Sequence, residues 1–184
     1  MKCLPLEIPA VILIEPAFHY DDRGFFFESF NFKEFQEQTG LSPDFVQENY
    51  SRSKKNVLRG LHFQKAPRSQ GKLIRVIRGE IFDVAVDLRK NSPTFGKWIA
   101  IILNARKSQQ IWIPPGFAHG FLTLSKEADV IYKTTDFYSP EHEQSIAWND
   151  PIIGIKWPSV EPILSPKDAC SQKNLINNIE VSST

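Results

Sequence analysis

Short apolar-rich runs, some with polar and apolar positions alternating at a period of two, recur along this chain and are broken by Gly, Pro, Asp and Asn. Such runs predict β-strands. The clearest β signal is Leu73–Ile77 followed by Ile81–Leu88, two strands joined as a hairpin through Arg78-Gly79-Glu80. Further strands are expected at Val11–Ile14, Phe25–Phe30, Phe45–Ser51, Leu58–Gln64, Trp98–Leu103, Gln110–Ile113, Phe121–Leu124 and Val130–Thr135. His19–Gly24 reads as a turn and Gln64–Gln70 as a polar loop. The period changes once: Phe32 and Phe35 share a helical face in Phe32–Thr39, and Gly40 is placed to end that helix.

Short strands at regular intervals with few helices predict an all-β chain, an antiparallel sandwich or barrel. At 184 residues the chain is expected to form one domain over 1–170. From Ser171 it turns polar, and 171–184 is expected to be a surface tail.

Composition narrows the class. Fourteen phenylalanines and thirteen prolines suit strands and tight connections better than a helical bundle. A net charge of +1 gives no general attraction to nucleic acid. Glu7 and the prolines at 5 and 9 interrupt the apolar start, and no stretch approaches the ~20 apolar residues of a membrane span. Cys3 and Cys170 lack metal-ligand spacing and are expected to be free thiols in a reducing compartment. The expected location is the cytoplasm.

Two runs could carry chemistry. Leu58-Arg59-Gly60-Leu61-His62-Phe63-Gln64 brings a cation, a glycine and an imidazole together. Strict alternation places Leu58, Gly60 and His62 on one face, with Arg59 and Leu61 on the other. Gly60 then leaves room for a ligand near the backbone. An imidazole with an ordinary pKa near ~6.5 exchanges protons readily at neutral pH. Pro114-Pro115-Gly116-Phe117-Ala118-His119 is the second run, a tight turn delivering His119 to the start of a strand. Two histidines on different strands of a small barrel invite a metal reading. Metal-binding cupins, however, carry His-x-His in the first motif, and here that place is His62-Phe63-Gln64. Asp168, in Ser165-Pro166-Lys167-Asp168, suits the first turn of a short helix.

Taken in order, the motifs resemble the dTDP-4-dehydrorhamnose 3,5-epimerase family, cupin-fold enzymes acting on sugar nucleotides. The carrying residues are Asp22-Arg23-Gly24, Phe27-Glu28, Gln47-Glu48-Asn49, Leu58–Gln64, Gln70-Gly71-Lys72, Gly79–Arg89, Ser92–Trp98, Trp112–Phe121, Tyr132–Glu141, Trp148–Pro151 and Leu164–Asp168. The resemblance implies a dTDP-4-keto-6-deoxyhexose substrate whose C3 and C5 are inverted through an enolate. It implies His62 as base, Asp168 as its carboxylate partner, Tyr132 as proton donor and Lys72 beside the C4 oxygen. It further implies substrate contacts from Arg23, Glu28, Gln47, Asn49, Arg59, His119, Glu143 and Lys167, with Tyr138 stacked on the thymine. Neither cofactor nor metal belongs to that pattern. A homodimer exchanging strands near the N-terminus does. The matched residues leave single against double inversion open.

Overall fold

Which face of each strand is apolar decides how the two sheets of this protein stack. The computed structural model describes residues 1–158 and 161–171. The first sheet runs in the order β1 (Lys2–Pro5), β2 (Ile12–Glu15), β10 (Gln110–Ile113), β7 (Lys72–Arg78), β12 (Glu127–Thr134), β5 (Gln47–Lys54). The second runs β13 (Glu143–Ser145), β6 (Leu58–Gln64), β11 (Phe117–Thr123), β8 (Glu80–Asp87), β9 (Trp98–Asn104). All pairings within these sheets are antiparallel. This is the all-β sandwich expected from the strand spacing, with the cupin-like jelly-roll architecture.

The sheets meet over Leu13, Ile74, Val76, Ile111, Ala128 and Val130 from one side and Ile81, Ala85, Leu103, Phe117 and Phe121 from the other. Behind the second sheet lies another apolar layer, Leu61, Phe63, Val84, Val86, Ala118 and Ile146. Strand β8 is therefore covered on both faces, which is why Ile81–Leu88 is almost continuously apolar. Helix α1 (Phe32–Thr39) covers part of the first sheet's outer face and buries Phe35 against Ile12, Ile14, Leu73 and Trp112. Asn31 caps it by accepting from the Glu34 amide, and Gly40 ends it at φ 71°.

Three expectations about local structure are corrected. Strands β7 and β8 are not partners: β7 pairs with β10 and β12, β8 with β9 and β11. The chain crosses between sheets at Gly79, at φ 76°, where a Cβ would lie 2.0 Å from the Glu127 carbonyl oxygen. His19–Gly24 is not a bare turn. It forms most of a separate hairpin, β3 (His19–Asp21) with β4 (Gly24–Phe26), so the aromatic strand stops at Phe26. Strand β11 begins at Phe117, four residues early, and carries His119 within it. The expected surface tail falls almost wholly on residues 172–184, outside the described residues.

Candidate active site

A break in register builds the site. Strand β6 pairs with β11 so that Arg59 faces Phe121 and His62 faces His119. Three steps along β6 match two along β11, which makes a β-bulge on β6 around Gly60 and Leu61. The extra residue reverses the alternation, so Arg59 and His62 line one cavity instead of opposite faces. Gly60 has a different task from the one expected. At φ 121° its missing Cβ would stand 2.6 Å from Gly120 Cα, so the glycine lets two strands close up and leaves no space for a ligand.

The cavity, of about 530 Å³, opens between the sheets and is lined by Gln47, Asn49, Arg59, His62, Lys72, His119, Tyr132, Tyr138, Glu143 and Asp168 among others. Ten of the thirteen site residues predicted from the sequence thus converge. Lys167 is linked to the same mouth, its Nζ 2.5 Å from Glu143 Oε2. Arg23 and Glu28 are not brought to this cavity. Arg23 projects from the tip of the β3–β4 hairpin with its side chain 90% exposed and paired to Asp21, and Glu28 accepts from the Asn31 amide.

His62 Nε2 lies 2.6 Å from Asp168 Oδ1. An ionised carboxylate at that distance holds the imidazole proton on Nε2 and leaves the lone pair on Nδ1. Asp168 is delivered by helix α2 (Pro166–Ala169), whose N-cap Ser165 accepts from the Asp168 amide. The Ser165 hydroxyl also donates to Asp168 Oδ2 at 2.8 Å. Burial works against the Asp168 carboxylate, yet the His62 and Ser165 hydrogen bonds outweigh it and hold its pKa below the usual value.

Lys72 is buried at the cavity floor, 8% exposed, and its ammonium donates to the His62 carbonyl at 3.3 Å. Burial lowers its pKa to about 8, with Glu143 and Asp83 pulling the other way. Tyr132, also facing the cavity, has its phenol pushed up mainly by burial, so it keeps its proton at neutral pH. Glu143 accepts from Tyr138 Oη at 2.7 Å. Burial opposes the Glu143 carboxylate, but Lys167 and Tyr138 more than compensate and lower its pKa.

Both histidines direct Nε2 to aspartates of their own, His119 to Asp83 Oδ2 at 2.8 Å. Gln64, at the place of a cupin ligand, is engaged with the Arg68 and Phe137 carbonyls and the Ser139 amide. Among the described residues no group of three or more His, Cys, Asp or Glu side chains is arranged to hold a metal.

Sequence reasoning missed Ser51, Ser53, Asp83 and Ser165. Ser51 lines the cavity with a buried, unpartnered hydroxyl, and Ser53 Oγ accepts from Arg59 Nε at 2.9 Å. Both extend the period-two face of Gln47 and Asn49, a signal that was available. Asp83 was visible as a carboxylate in the middle of an otherwise apolar strand interior.

The architecture and the cavity together define a cupin-like β-sandwich enzyme with an imidazole–carboxylate pair and a phenol around one hollow. The chain belongs to the dTDP-4-dehydrorhamnose 3,5-epimerase family, whose model matches residues 5–175, and it is accordingly an isomerase. The dTDP-4-dehydrorhamnose 3,5-epimerase of Salmonella typhimurium is 58% identical over 172 residues, covering 93% of this chain and 94% of that protein. The Shigella flexneri enzyme of the same name is 54% identical over 173 residues, covering 94% and 96%. The crystal structure of dTDP-6-deoxy-D-glucose-3,5-epimerase from Legionella pneumophila, in complex with dTDP-4-keto-L-rhamnose, superposes with a TM-score of 0.91 at 49% identity. That likeness covers 97% of this chain and 94% of the other.

Proposed function

We propose that this protein inverts C3 and C5 of a dTDP-4-keto-6-deoxyhexose, with His62 as base and Tyr132 as acid. One observation carries the reading: an imidazole oriented by a buried carboxylate and a protonated phenol line the same cavity. Nδ1 of His62 takes the proton from the carbon beside the ketone. The C–H electron pair becomes a double bond between that carbon and C4, and the C4=O π pair moves onto the C4 oxygen as the enolate forms. The ammonium of Lys72 stabilises that charge, while Asp168 stabilises the imidazolium. Tyr132 then gives its proton to the opposite face of the carbon. The tyrosinate recovers a proton as the imidazolium loses one, and the cycle repeats at the second carbon. General acid–base groups supply roughly 10²–10⁴-fold each, so stabilisation of the enolate by Lys72 is a required part of the account.

Arg59, exposed at the rim, suits the diphosphate, and Tyr138 at the mouth suits the thymine face. Gln47, Asn49, His119, Glu143 and Lys167 complete the polar lining. Nothing in this scheme calls on a cofactor. A homodimer belongs to the same reading. The β3–β4 hairpin carries Tyr20, Phe25 and Phe26 at 75%, 60% and 67% exposure, together with Arg23. A second copy receiving that hairpin would cover the aromatic rings and bring Arg23 and Glu28 to a site their own chain does not reach. Cytoplasmic location follows from the substrate class, and both cysteines are free.

The experiment is incubation with dTDP-4-keto-6-deoxyglucose in D₂O, with the product followed by NMR. Inversion and deuterium at both C3 and C5 are expected. Label at one carbon only would reduce the activity to single epimerisation, and no label would remove the reading.

A further inference from the structure

Asp83 breaks the pattern of its strand. The inward positions of β8 are Ile81, Asp83 and Ala85, and both apolar neighbours are fully buried in the core between the sheets. Alternation asks for an apolar residue at 83. A carboxylate taken out of water there is unfavourable unless partners offset it. Asp83 is nonetheless 0% exposed, its Oδ2 is 2.8 Å from His119 Nε2, and its Oδ1 is buried without a hydrogen-bond partner. Packing does not explain such a residue. Its one bonded partner, His119, lines the cavity and is the cross-strand register partner of His62. One hidden anion therefore stands behind an imidazole that faces the ligand.

We propose that Asp83 is a positioning residue of the site: it holds the His119 ring with Nε2 inward and Nδ1 toward the ligand. The inference rests on the epimerase reading above and deepens it. A ring locked this way presents one nitrogen to the substrate, as the carboxylate behind a catalytic imidazole does. The arrangement parallels His62–Asp168 on the adjacent strand, so each wall of the cavity floor has its own imidazole–carboxylate pair.

The test uses the full chain with Asp83→Asn, which keeps shape and acceptor oxygen and removes the charge. The expected result is a fall in kcat of roughly 10–100-fold, the size seen when the group behind a working imidazole is lost. KM is expected to stay within about twofold, because the nucleotide contacts lie elsewhere. The Asp83→Asn, His119→Gln double variant should be no slower than His119→Gln alone, since the carboxylate acts through the ring. Asp83→Thr, neutral and close in size, serves if the amide variant does not fold. A readout independent of turnover is the ¹⁵N spectrum of the His119 ring, expected to show one Nε2-protonated tautomer in wild type and a mixture in Asp83→Asn. Wild-type kcat in the variant, fully multiplicative effects in the double variant, or an unchanged ring spectrum would overturn the proposal. Wild-type protein inactive on the sugar nucleotide would instead sink the epimerase reading, leaving the ring spectrum to judge Asp83 alone.

Discussion

Replacing Asp168 by Asn separates the catalytic from the structural share of the His62–Asp168 pair. The side chains are 29% and 4% exposed, so the carboxylate is dry while the imidazole still meets solvent. The amide keeps an acceptor for Nε2–H and a donor for Ser165 Oγ, so no buried polar group is stranded. The stability loss is then that of weakening one charge-assisted hydrogen bond, about 1 kcal/mol, or a Tm lowered by about 2–4 °C for a chain of this size. The rate responds differently, because the imidazole carries a full positive charge only after proton abstraction. Removing an anion 2.6 Å away withdraws about 3–5 kcal/mol from the transition state, roughly 10²–10⁴-fold in kcat. A pH signature accompanies it. The Asp168 carboxyl titrates below its usual value when folded, so its contribution to stability is present at neutral pH. That contribution is lost as pH falls from the unfolded pKa through the folded one. The variant should lack this acid-limb loss. Thermal denaturation across pH and NMR-detected exchange at C3 and C5 measure both quantities. A variant less than tenfold slower would refute the assignment of Asp168 as the partner of the base.

Three further outcomes are expected. Lys72→Met should remove a buried charge and its desolvation penalty, leaving Tm equal or higher while kcat falls roughly 10²–10³-fold; in wild type the same lysine loses its proton near pH 8, so kcat should decline as pH rises through about 8. Gly60→Ala forces a side chain into a left-handed backbone and against Gly120, and urea unfolding should show a loss of about 2–4 kcal/mol. Mixing inactive Arg23→Ala with inactive His62→Ala chains should restore about a quarter of wild-type activity if hairpins complete each other's sites, and none if each chain works alone.

Much of the layering was written in the sequence. Strands β8 and β12 were legible as apolar-rich runs, and α1 by its phenylalanine spacing and terminal glycine. The bulge at Gly60 was not, because register depends on the strand opposite, where Gly120 admits the close approach. Alternation therefore put Arg59 and His62 on opposite faces, and one extra residue put them together. Gly79 misled in a related way. A glycine at positive φ between two apolar runs suits a hairpin equally well as a crossing between sheets, and only the pairing partners decide. Asp168 was recognisable as a first-turn acidic residue, but its contact with His62 spans 106 positions, and family likeness alone joined them. Arg23 stands in the β3–β4 hairpin and Glu28 just after it, and neither lines its own chain's cavity.

Exchange of substrate hydrogens for deuterium by His62→Ala tests the central claim most directly. Wild type and the variant are incubated with dTDP-4-keto-6-deoxyglucose in D₂O, and label at C3 and C5 is followed by NMR. The account predicts rapid labelling by wild type and at least ~10²-fold slower labelling by a folded variant that still binds dTDP. Labelling at the wild-type rate would contradict it, because another group would then be removing the proton.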